Sequence, residues 1–60
     1  MSQEFDYAEE KLYLNAYDSS KALKDEIRQT VSDYESMNWE VIDISTEDSF
    51  VSLKFRRPLN

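Results

Sequence analysis

Asn38-Trp39-Glu40-Val41-Ile42-Asp43-Ile44-Ser45 is the stretch in which the hydrophobic spacing changes from that of a helix to that of a strand, and it holds the chain's only Trp. Upstream of it Leu23, Ile27, Val31, Tyr34 and Met37 recur every three or four residues, which marks one face of a helix. Asp18-Ser19-Ser20 offers side-chain oxygens to the free amides of a first turn, and so begins that helix. At its other end the chain has no Gly, so Asn38 is the residue best able to take the left-handed conformation that closes a helix.

Downstream, Trp39 to Ser45 and Phe50 to Arg57 are rich in β-branched and aromatic residues and flank the polar Thr46-Glu47-Asp48-Ser49, which predicts a hairpin. A turn centred on Glu47-Asp48 sets Ile44 opposite Val51 and Ile42 opposite Leu53 on one side. Trp39, Val41 and Asp43 then lie with Phe50, Ser52, Lys54 and Arg56 on the other. A second register or twist folds Trp39 over the helix end as a core residue, and the sequence leaves the two open. Pro58 has no amide to donate and ends the last strand.

Before the helix, Leu12, Leu14 and Ala16 share even parity whereas Phe5 and Tyr7 are odd, so the first reliable strand is expected at about Lys11 to Tyr17. Residues 1–10 are then either an acidic N-terminal arm or an early strand segment joined through a bulge near Glu9. We take them as an arm, with residues 11–60 as a single domain. The expected fold class is α+β in the order strand, helix, strand, strand, one helix packing on a three-stranded antiparallel sheet. Val51, Leu53 and Phe55 suit a central third strand, which gives the strand order 1-3-2.

Composition narrows function mainly by exclusion. A sixty-residue domain buries only about 60 % of the surface its unfolded chain exposes, and domains this small usually need a staple or a partner. Without Cys or His the chain has no disulfide, and the usual zinc, haem and imidazole-base sites are excluded, so neither metal nor cofactor is expected. Serines without a His base and a chain without a Gly-rich loop give no nucleophile or phosphate motif, and no enzymatic activity is expected. The adjacent carboxylates Glu9-Glu10, Asp25-Glu26 and Glu47-Asp48 point apart on a strand or helix, so none forms a facing acid–base pair. No apolar run reaches membrane-span length and the N-terminus lacks the pattern of a signal peptide, so a cytoplasmic, membrane-free protein is expected. A net charge of −6 disfavours nucleic acid, although a sheet carrying aromatics and cations has the makings of a single-strand platform.

The C-terminal third resembles a known family. A helix running into Asn38-Trp39-Glu40-Val41, then a hairpin, then a strand ending Phe55-Arg56-Arg57-Pro58, resembles the small bacterial and phage domain-of-unknown-function family numbered 4177. The likeness in layout covers residues 11–58, with Asn38 where that family usually has Gly. It implies the architecture already described and no established activity.

Two functional expectations follow. In the first, the helix-free face of the sheet, with Tyr13, Trp39, Val41, Phe50, Lys54 and Arg56, binds a second copy or a protein partner, because exposed aromatics with Arg are what interfaces favour. The second is an acidic regulatory protein, of the kind phages use, that occupies a basic nucleic-acid-binding surface of a host protein. Glu4, Asp6, Glu9, Glu10, Asp25 and Glu26 would steer it there.

Overall fold

The computed structural model describes residues 4–59. Strand β1 (Phe5–Tyr13) leads through a short 3-10 turn (Leu14–Ala16) into helix α1 (Ser20–Glu35), which is followed by strands β2 (Glu40–Thr46) and β3 (Phe50–Pro58). The strands form one antiparallel sheet in the order β1-β3-β2 with α1 on one side, as the sequence predicts.

Local chemistry sets the limits of α1. Ser19 is extended and its hydroxyl accepts from the Ala22 amide at 3.1 Å, which satisfies one of the free donors of the first turn. The helix closes through Asn38, whose φ of 69° is the only positive value among the described non-glycine residues. The Trp39 amide donates to the Tyr34 carbonyl at 3.1 Å and the Asn38 amide to the Glu35 carbonyl at 3.2 Å, the paired bonds of a Schellman closure. Such a closure brings the residue after the left-handed position against the last turn of the helix. Trp39 accordingly meets Tyr34 edge-on, with ring centroids 5.8 Å apart.

Three differences from the sequence-based expectation concern the strands. First, residues 5–10 are not an arm. They extend β1, in register with β3 from Phe5 opposite Pro58 to Tyr13 opposite Phe50 without a bulge, while the chain beyond Tyr13 turns off instead of continuing as strand to Tyr17. Residues 1–3 of the expected arm lie outside the described residues. The parity difference that argued for a break at Glu9 reflects the two faces of one regular strand, Phe5 and Tyr7 lying on the helix-free side and Leu12 buried on the helix side.

Second, the hairpin reverses at Asp48-Ser49, because the Glu47 amide donates to the Phe50 carbonyl at 2.8 Å. Ile44 therefore stands opposite Leu53 and Thr46 opposite Val51. Third, the register shifts between Val41 and Asp43, with Ile42 the extra residue, so that Val41 stands opposite Phe55 and Glu40 opposite Arg56. The bulge exchanges the faces of everything before it. Trp39 and Val41 pack against the core under α1, and Ile42 moves to the helix-free side.

The core is thin. Leu12, Val51, Leu53 and Phe55 are buried, three of them on the central strand, and no residue of α1 is fully buried. Leu23, Ile27, Val31 and Tyr34 lie half-buried over that row, and the Tyr34 ring stacks on Phe55 at 4.0 Å between centroids. With so little buried, the closure of α1 matters. Asn38→Ala should lower unfolding free energy by about 1 kcal/mol, since Ala keeps the Cβ but loses the short polar side chain that lets Asn tolerate positive φ, while Asn38→Gly, without a Cβ, should match or exceed the wild type; urea titration followed by circular dichroism reads both.

Candidate functional site: the helix-free face of the sheet

Side-chain alternation along each strand decides what this face carries. The odd residues of β1 point away from α1, and the register places Tyr7 beside Arg56, Glu9 beside Lys54, Lys11 beside Ser52 and Tyr13 beside Phe50. From β2, Glu40 joins Arg56 and Asp43 joins Lys54. Aromatic groups gather at both ends. Arg56 lies over the Phe5 ring at 4.4 Å, with Tyr7 beside Phe5 at 6.4 Å, and at the far end Tyr13 meets Phe50 at 5.8 Å with the Lys11 ammonium 5.0 Å above it.

Between these clusters the face is polar and closely paired. Ser52 is buried although it belongs to this side, and its hydroxyl donates to the Glu9 carboxylate. The Arg56 guanidinium donates to Glu40. Lys11, Lys54 and Arg56 balance Glu9, Glu40 and Asp43, so the face is neutral on a chain whose net charge is −6. Tyr7, Glu9, Ile42 and Lys54 line a shallow depression of about 290 Å³ at its centre.

Of the residues expected here, Tyr13, Phe50, Lys54 and Arg56 are present. Trp39 and Val41 are not: the bulge at Ile42 and the Schellman closure hold them on the helix side, where the Arg57 guanidinium covers the Trp39 ring at 4.7 Å and donates to Asp6 at 3.3 Å. Phe5, Tyr7 and Ile42 belong to the face and were not among the expected residues. Their signal lay in the odd parity that Phe5 and Tyr7 share with Tyr13.

The six acids considered as a steering surface do not share a side. Asp6 and Glu10 lie under α1 and Glu9 on the helix-free face. The Glu4 carbonyl accepts from the Leu59 amide, and Asp25 and Glu26 stand exposed on α1, with Asp25 3.6 Å from Lys21 and 3.5 Å from Arg28.

Two titrating groups are shifted by these contacts. The Ser52 hydroxyl, with smaller help from Lys11 and Lys54 and against some desolvation, holds Glu9 below the usual glutamate range. That contact therefore stabilises the fold above the ordinary glutamate pKa, and its contribution is lost as pH falls through the lowered one. Tyr34 donates to Glu10 at 2.7 Å; this bond, then burial and the nearby negative charge, raises the pKa of the phenol. Its stabilisation is full below the ordinary tyrosine pKa and is lost as pH rises through the raised one.

Among the described residues no group of three or more His, Cys, Asp or Glu side chains is placed to hold a metal, and no helix is long and apolar enough to cross a membrane. No protein-family model matches the chain, and no curated protein or solved structure does so.

The tyrosine shift has a direct readout. Absorbance at 295 nm should show a final ionisation step above the ordinary tyrosine range, removed by Tyr34→Phe and moved down by Glu10→Gln. A final step that survives Tyr34→Phe would assign it to another residue.

Proposed function

We propose that this chain is a small non-enzymatic protein-interaction module that binds a second copy of itself or another protein through the helix-free face of its sheet. The observation that carries the reading is the pairing of exposed aromatic clusters with a neutral, mixed-charge centre. Tyr7 is 67 % exposed and Tyr13 is 53 % exposed, each beside a further aromatic ring. Large aromatics with Arg supply most of the energy in protein interfaces. Neutrality supports the same reading, because a second protein surface meets no net charge there although the chain as a whole carries −6. Membership of family 4177 and a cytoplasmic setting are proposed with it, the former on the order of elements and the motif residues Trp39, Glu40, Arg56, Arg57 and Pro58.

The acidic regulatory reading draws less support. Its acids are divided between the two sides of the molecule, and several are engaged with Arg57, Ser52, Tyr34, Lys21 or Arg28.

Photo-crosslinking in the cells that make the protein tests the proposal. A benzophenone side chain at position 43, on the helix-free face, should give protein adducts that fall by roughly tenfold or more when Phe50→Ala and Lys54→Glu are added. The same group at position 28, on the outer side of α1, should give few. Adducts from position 28 alone, or adducts at position 43 that ignore the double substitution, would overturn the reading.

A further inference from the structure

The two edges of the sheet are unequal. β2 is seven residues long and is broken by the bulge at Ile42, a device that blunts an edge against pairing. β1 is nine residues long, with unbroken register and neither bulge nor Pro.

Hydrogen-bond direction shows what that edge offers. At its two ends the Leu14 amide donates to Ser49 at 3.0 Å and Glu4 accepts from the Leu59 amide at 3.1 Å, so the even residues turn their backbone groups toward β3. By the alternation of an antiparallel ladder, the odd residues Phe5, Tyr7, Glu9, Lys11 and Tyr13 turn theirs outward.

We infer that β1 is the docking edge for a second copy of this chain, the two strands pairing antiparallel about a two-fold axis to fuse the sheets into one of six strands. Side-chain complementarity selects both the occupant and the register. Outward backbone groups belong to odd residues, so odd must meet odd. Centring the axis on Glu10 places Glu9 opposite the partner's Lys11 and Tyr7 opposite the partner's Tyr13, each twice by symmetry. Ala8 then faces the partner's Leu12 on the helix side, which carries the thin core across the seam. The one like-charge contact, Glu10 with its own copy, lies on the axis, where each carboxylate already accepts from Tyr34. Centring on Glu9 instead sets Glu9 against itself and forfeits both ion pairs. The side chains of β3 that form the helix-free face stay free in this arrangement, so two such faces become one continuous surface.

Sedimentation equilibrium from ~10 µM to ~1 mM spans the affinity expected of a seam this small. The wild-type chain should form a reversible dimer. Lys11→Pro removes one outward amide, leaves the β1–β3 ladder intact, and should give a monomer with an unchanged circular dichroism spectrum. Glu9→Lys and Lys11→Glu should each weaken the dimer at least tenfold, and an equimolar mixture of the two should recover it as a heterodimer; this mixture decides the question even if the Pro variant fails to fold. Asp43→Lys, on the helix-free face but across the sheet on β2, should leave the dimer unchanged, which separates this edge from that face. A chain that stays monomeric at ~1 mM overturns the inference, whether or not a foreign extended peptide pairs with the edge. So does a dimer that resists Lys11→Pro, or charge-swapped variants that fail to rescue each other.

Discussion

A conflict of parity between two fixed ends shapes the second half of this molecule. The Schellman closure at Asn38 fixes Trp39 against Tyr34, on the helix side. The hairpin at Asp48-Ser49 fixes Ile44 opposite Leu53, also on the helix side. Trp39 and Ile44 are an odd number of residues apart, and in a regular strand residues so spaced face opposite ways. One extra residue reconciles them, and that residue is Ile42. The bulge thus follows from two strong local structures of incompatible phase.

Much else follows from it. With Trp39 and Val41 turned inward, the end of the core is closed by a stack that runs from Phe55 through Tyr34 to Trp39 and is covered by Arg57, itself held by Asp6 of β1. Each such contact is modest, about 0.5–1.5 kcal/mol for an aromatic pair and about 0.5–1 kcal/mol for an exposed cation over a ring. Together they join both edge strands to the end of the helix in a domain with only four buried apolar side chains among the described residues. The other face keeps its aromatics at the two ends and its paired charges between them, and the same bulge blunts the β2 edge while β1 stays regular.

The elements and their order could be read from residue spacing, because the stripe from Leu23 to Met37 and the β-branched runs on either side of Thr46 to Ser49 are unambiguous in period. Asn38 could be read because a chain without Gly has few residues that accept positive φ. The faces of β2 were hidden, since no Gly marks the bulge and a shift of one residue exchanges every side chain. Tyr34 and Trp39, five apart across a helix end, carried the missing signal. The reach of β1 was hidden for a different reason: Glu10 occupies a helix-side position that alternation reserves for an apolar residue, and only the Tyr34 hydroxyl makes it acceptable there. Of the six residues expected on the face, Tyr13, Phe50, Lys54 and Arg56 lie there; the bulge turns Val41 inward, and Trp39 takes the core position over the helix end that the sequence left open as the alternative.

The most direct test of this account is to ask which side of the sheet the indole occupies. Nuclear Overhauser contacts in the purified chain should connect the Trp39 ring to Tyr34 and Arg57, and the Val41 methyls to the Phe55 ring. Contacts from Trp39 or Val41 to Phe50, Lys54 or Tyr13 would place them on the helix-free face and contradict the bulge and what rests on it.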